Sequence, residues 1–169
     1  MQAEGRTALT VRRWRTLFSV AGFVWILDLA TKIWAVSALS HRPNIKVLGS
    51  FFQLTLVRNS GAAFSFATSA TIFLTLFGMG VLGAIIYFAP RITSQGWAIV
   101  LGLVMGGIIG NLIDRIFREP GILRGHVIDW MQLPHWPIFN VADSAIVIAA
   151  LISVVLTTRN IPPVTKVGS

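Results

Sequence analysis

Four apolar stretches dominate the chain, running approximately from Leu17 to Leu39, Thr68 to Ala89, Gly96 to Ile113 and Phe139 to Leu156. Each approaches the ~20 residues a helix needs to cross ~30 Å of hydrocarbon. Only 12% of the 169 residues are charged and 54% are hydrophobic, whereas soluble domains carry roughly a quarter charged residues. The expected fold class is therefore an all-α integral membrane protein, a single membrane domain over 1–169 with four transmembrane helices. Its outer segments fall at about 40–67 and 114–138. Basic residues precede the first stretch and Ala35, Ser37 and Ala38 lie near its end, as in a secretory signal, but its length and the interruptions at Asp28 and Lys32 mark an uncleaved span.

Only Pro90 to Gln95 separate the second and third stretches, which makes those helices antiparallel neighbours. Four spans return both termini to one side, and Arg6, Arg12, Arg13 and Arg15 make that side the cytoplasm. Arg42, Lys46, Arg58, Arg115, Arg118 and Arg124 then fall on the far side. Either those cations have specific partners or the span count is wrong. Asn44 to Val57 reads as a small extracytoplasmic β-hairpin, with β-branched and aromatic residues flanking Gly49-Ser50. Phe117 to Pro137 carries Pro120-Gly121, Trp130 and Trp136, the composition of turns and interfacial aromatics, and predicts an outer interfacial segment in the headgroup zone.

The chain has no Cys, which removes thiolate zinc sites, disulfides and cysteine nucleophiles together. Its net charge of +8 is mostly dispersed between apolar runs, a distribution suited to anionic membrane lipid and not to nucleic acid. There is no H-E-x-x-H or G-x-S-x-G, and His41, His126 and His135 lack carboxylates at ligand spacing. No metal and no cofactor are expected.

Six acids remain: Glu4, Asp28, Asp114, Glu119, Asp129 and Asp143. An ionised Asp at the centre of a span costs about 2.5 to 3.5 kcal/mol, so such residues are paired, interfacial or functional. Asp28 and Lys32, four apart, share a helix face and form a structural ion pair. Asp114 has Asn111, Arg115 and Arg118 nearby, again a structural arrangement. Gly102, Gly106 and Gly110 make a face for close helix packing. Asp129 and Asp143 differ, because neither has a base at helical spacing and both fall near the outer end of the fourth span. Two adjacent carboxylates share one proton, supplying an acid and a base for water attack on a peptide bond. Asn140-x-x-Asp143 equally fits a helix N-cap with an acid in the first turn. Acids in spans also mark ion paths in small carriers and channels. Spacing alone leaves these readings open.

Five blocks then carry a resemblance: Asp28-Leu-Ala-Thr-Lys32, Asn59-Ser-Gly-Ala-Ala-Phe-Ser65, Gly110-Asn-Leu-Ile-Asp-Arg115, Gly125-His-Val-Ile-Asp-Trp130 and Phe139-Asn-Val-Ala-Asp143. In this order, across Asp28 to Ser144, the chain resembles bacterial lipoprotein signal peptidase, signal peptidase II. That resemblance implies an intramembrane aspartic endopeptidase of the bacterial inner membrane, acting as a monomer near the extracytoplasmic face. Its substrates would be diacylglyceryl-modified prolipoproteins, cut just before the lipidated cysteine. The resemblance makes Asp129 and Asp143 the catalytic pair, with Asn59, Asn111, Asp114, Arg115 and Asn140 lining or supporting the site and Asp28 stabilising the fold. Trp130 stands where many members have Phe, another large ring. Asn111 and Asn140 are the candidates to hold the oxyanion.

Overall fold

The computed structural model describes residues 2–61 and 67–164, with side chains from 13 to 61 and from 71 to 164. The side chains of Glu4, Arg6 and Arg12 and the segment Ala62 to Ser65 lie outside the described residues. The elements run α1 (Gln2–Leu39), β1 (Ile45–Leu48), β2 (Phe52–Asn59), α2 (Ala67–Phe88), α3 (Gln95–Phe117), β3 (Val127–Gln132) and α4 (Val141–Thr158). Four helical stretches are long and apolar enough to cross a membrane: Arg13–Leu39, Thr71–Arg91, Gln95–Phe117 and Val141–Thr158. Phe23, Ile33, Phe73 and Leu151 point outward from them, an arrangement that suits lipid and would be costly in water.

α3 is the centre of the bundle, with 44% of its most apolar window buried against 17% for α2 and α4. Glycine is the reason it can sit there. A Cβ on Gly102 would lie 2.7 Å from the Leu17 carbonyl oxygen, one on Gly106 would lie 2.7 Å from that of Ala21, and one on Gly110 would lie 2.5 Å from Asp28 Oδ2. The expected glycine face therefore meets α1, with Gly102 and Gly106 against its backbone and Gly110 against the Asp28 side chain. Gly107, not singled out in the sequence, does the same on the other side, where a Cβ would sit 2.6 Å from the Ala142 carbonyl oxygen of α4.

The ends of the bundle are distinct. At one end Gln95 donates to Thr16 Oγ1 (2.9 Å), Thr93 N–H to the Pro163 carbonyl (3.0 Å) and Trp97 Nε1 to the Ile161 carbonyl (2.8 Å), so α1, the α2–α3 turn and the segment after α4 meet there. A three-stranded antiparallel sheet, ordered β1-β2-β3, occupies the other end. Trp130 anchors it, packing edge-on to Trp34 of α1 with Ala35 and Leu39 beneath.

Three expectations need correction. The hairpin is present, but it is two strands of a three-stranded sheet, because Val127–Gln132, read as turns and interfacial aromatics, pairs with β2. The third helix does not stop at Ile113; it continues to Phe117 and carries Asp114 and Arg115. It can do so because Lys32 and Arg118 neutralise Asp114. The far-side cations divide: Arg118 pairs with Asp114 and Arg115 lies within Coulombic reach of three aspartates, while Arg42, Lys46, Arg58 and Arg124 face outward. Of the two alternatives that those cations posed, the four-span count stands.

Candidate active site

Asp129 lies on β3 opposite Val57, and β2 carries one extra residue between Leu54 and Val57. Such a bulge bends and twists a strand where a side chain must be aimed. Asp143 lies in the first turn of α4, whose start is fixed by a reciprocal cap: Asp143 N–H donates to Asn140 Oδ1 (2.9 Å) and Asn140 N–H donates to Asp143 Oδ2 (3.2 Å). The capping motif read from the sequence is thus real, and it holds Asp143 at the same end as Asp129.

All four oxygens of these carboxylates accept N–H hydrogen bonds from uncharged donors. Asp129 Oδ1 accepts from Asn140 Nδ2 (2.7 Å) and Oδ2 from Asn59 Nδ2 (2.8 Å). Asp143 Oδ1 accepts from Asn111 Nδ2 (2.8 Å), and Oδ2 from the Asn140 backbone. Each amide is turned the right way by a donor on its oxygen: Gly61 N–H on Asn59 (2.7 Å), Asp143 N–H on Asn140, and both Lys32 (3.1 Å) and Asn140 Nδ2 (3.2 Å) on Asn111. Gly61 takes the left-handed conformation (φ +82°) that lets its N–H reach back two residues. Asn111 and Asn140 therefore link the two aspartates. Their amide protons already serve carboxylates, and both protons of Asn140 are engaged, which argues against the expectation that it holds an oxyanion.

Asp129 is almost fully buried and Asp143 half-buried. Burial, which disfavours the ionised form, pushes the Asp129 carboxyl up to about 6; the Asn59 hydrogen bond opposes that shift and the nearby charge of Asp143 adds to it. Beside the pair, Asp28, Lys32 and Asp114 form a buried charged cluster, with Lys32 Nζ 2.7 Å from Asp28 Oδ2 and 2.9 Å from Asp114 Oδ2. The expected Asp28–Lys32 pair is present, and Lys32 has a second arm to Asp114, far along the chain, which no local pattern announced. Asp28 Oδ1 accepts from Ala142 N–H (2.9 Å) and Asp114 Oδ2 from Ile128 N–H (3.2 Å). The cluster thus grips the residue next to each carboxylate of the pair. Arg115 Nη1 is buried and has no hydrogen-bond partner among the described residues.

Two apolar clefts reach the site on opposite flanks of α4. One, of about 440 Å³ and lined by Leu74, Gly78, Val104 and Ile146, ends on Asn111 and Arg115. The other, of about 350 Å³ between Trp136, Phe139 and Val147, ends on Asp143. Among the described residues no group of three or more His, Asp or Glu could hold a metal ion.

The sequence matches the family described as Signal peptidase (SPase) II over residues 20–159. It is 46% identical over 154 residues to a lipoprotein signal peptidase of Mycobacterium leprae, covering 91% of this chain and 77% of that protein. A lipoprotein signal peptidase of Mycobacterium avium is 49% identical over 146 residues, covering 86% and 80%. In three dimensions the chain is similar to a solved structure described as a bacterial membrane enzyme, with a TM-score of 0.75 and 26% identity over 86% of this chain and 94% of that one.

Proposed function

The chain belongs to the signal peptidase II family, proteases of prolipoprotein signal peptides, and from that premise we propose that it is an aspartic endopeptidase working through Asp129 and Asp143. The observation that carries the reading is the pair itself: two linked carboxylates whose four oxygens accept only from amides. Without a cation hydrogen-bonded to either, a proton can stay on one while the other remains a base. Burial, which holds the Asp129 carboxyl up to about 6, favours its protonated form.

In the proposed reaction the ionised carboxylate takes a proton from water as the water oxygen bonds to the scissile carbonyl carbon. The protonated carboxyl gives its proton to the carbonyl oxygen, forming a gem-diol. The C–N bond then breaks as the nitrogen gains a proton from the first carboxyl and the second regains one from a diol hydroxyl. Arg115, whose Nη1 has no partner among the described residues and which borders the 440 Å³ cleft, is a donor able to meet a substrate carbonyl. Asn59, Asn111 and Asn140 orient the two carboxylates, while Asp28, Lys32 and Asp114 support the backbone around them.

The substrate is a diacylglyceryl-prolipoprotein cut on the N-terminal side of its lipidated cysteine. The two apolar clefts, one bordered by Asn111 and Arg115 and the other by Asp143, suit a hydrophobic signal segment and a lipid arriving together. Both termini lie in the cytoplasm and the sheet end lies outside, so the site meets water at the extracytoplasmic edge of the membrane.

Incubating purified protein with a lipidated and an unlipidated prolipoprotein tests this directly. Release of the signal peptide is expected from the lipidated substrate alone, and not at all with Asp129→Asn. Cleavage by that variant, or equal cleavage of both substrates, would sink the reading.

A further inference from the structure

Lys32 has more to hold than a structural ion pair needs. Its ammonium, 1% exposed, lies within reach of four acceptors on two helices: Asp28 Oδ2, Asp114 Oδ2, Asn111 Oδ1 and the Gly110 carbonyl (3.4 Å). The contact to Asn111 has a chemical consequence that the ion pairs do not. An ammonium can only donate. Whatever atom of the Asn111 amide faces it must therefore be the oxygen, which turns the amide nitrogen the other way, onto Asp143 Oδ1. A flipped amide would set its NH₂ against the ammonium and its oxygen against the carboxylate, donor to donor and acceptor to acceptor.

We propose that Lys32 is a positioning residue for the reaction: through Asn111 it fixes the direction of the hydrogen bond that holds Asp143. The inference rests on the assignment of Asp129 and Asp143 above. Asn140 has an independent lock, the Asp143 backbone N–H on its oxygen. Asn59 has another in Gly61 N–H. Asn111 alone takes its polarity from a side-chain charge, helped by one proton of Asn140. The two other charged groups on Lys32, Asp28 of α1 and Asp114 of α3, hold backbone and touch neither carboxylate of the pair.

The test is a double-mutant cycle. Lys32→Met leaves Asp28 unpaired, so it is combined with Asp28→Asn, which removes one buried charge of each sign and keeps an oxygen for Ala142 N–H; Asp114 retains Arg118. In the parent, this change should lower kcat by about 10- to 100-fold, the scale found when an orienting outer partner is lost at metal sites, with KM nearly unchanged. In an Asn111→Ala background the same change should cost less than about 2-fold, since the amide it orients is gone. An equal loss in both backgrounds, or no loss in the parent, would overturn the proposal. Should the combined variant fail to fold, solid-state NMR of the unaltered protein decides: the Asn111 side-chain NH₂ should correlate with the Asp143 carboxyl carbon and not with Lys32 Nζ, and the reverse pattern would overturn the assignment. Asp129→Asn, assayed alongside, separates the two readings. If it retains turnover, the catalytic assignment fails; if it is dead while the Lys32 cycle is additive, only the present inference fails.

Discussion

The buried cluster of Asp28, Lys32 and Asp114 and the pair Asp129 and Asp143 sit side by side and use the same side chain to opposite ends. Burial does not separate them, since Asp28, Asp114 and Asp129 are all 1–2% exposed. Their partners do. The cluster's carboxylates face an ammonium, and Asp114 a guanidinium as well, contacts that hold two helices together. The pair accepts from amides, which orient a carboxylate without fixing its proton. In this molecule the proposed reactive pair is hydrogen-bonded by neutral donors, with Arg115 in Coulombic reach, whereas the neighbouring cluster is bonded by matched charge.

The largest effect should come from neutralising the pair. Asp129→Asn or Asp143→Asn is expected to reduce turnover by about 10⁴-fold or more, the scale seen when one member of a catalytic unit is replaced, and the double variant should be little worse. Single-turnover cleavage of a lipidated prolipoprotein measures this. Additive losses would mean that the two act separately and would break the comparison.

Next comes the cluster. Lys32→Ala leaves two buried carboxylates without their shared cation and should cost about 3–5 kcal/mol of stability, the usual result of breaking a buried pair from one side. Thermal unfolding in detergent, with membrane yield, reads it. Asp129→Asn in the same assay should lose much less, since it removes a desolvated acid; a reversed order would contradict the division of roles.

A smaller effect sharpens the contrast through pH. Asn59 donates to Asp129 and so favours its ionised form. Removing it in Asn59→Ala should raise the Asp129 pKa above its present value of about 6. The proton is then kept to higher pH, and the alkaline limb of the kcat/KM profile should move upward, with a drop of roughly tenfold in the maximum as orientation is lost. A downward shift would show that Asn59 supports the neutral form. Smallest of all is Arg118→Ala: its side chain is 31% exposed and Asp114 keeps its contact to Lys32, which it shares with Asp28, so the loss should be about 1 kcal/mol, well under that of Lys32→Ala, with turnover unaltered. A loss of activity there would tie the rim cation to the pair.

Much of the fold could be read from local pattern. Hydropathy set the four spans, the four-residue glycine spacing marked a close-packing face on α3 without naming its partner, and Asn140-x-x-Asp143 announced the start of α4. Each is a property of one stretch of chain. What escaped depends on distant partners: β3, whose VIDWMQ lacks a clean alternation because it is buried near its start and pairs with β2 some seventy residues away; the end of α3, where charges would stop a span but for Lys32; and the orientation of Asn111. The acids themselves were few enough to single out. Their sorting into holders and reactors needed the resemblance, because identity at a position says nothing of whether an ammonium or an amide faces it.

The glycine contacts on both sides of α3 also have a mechanical meaning. With Gly102 and Gly106 seated on the α1 backbone, Gly110 against the Asp28 side chain and Gly107 on the backbone of α4, there is no room for a side chain at any of the four positions. The three helices that carry Lys32, Asn111 and Asp143 are therefore keyed together like a spline. α2 is fastened differently: Gly78 meets only the side chains of Leu112 and Ile108, at 3.5 and 3.6 Å. A change in bilayer thickness should be taken up by tilt of α2, with the keyed trio acting as the stiff frame of the molecule.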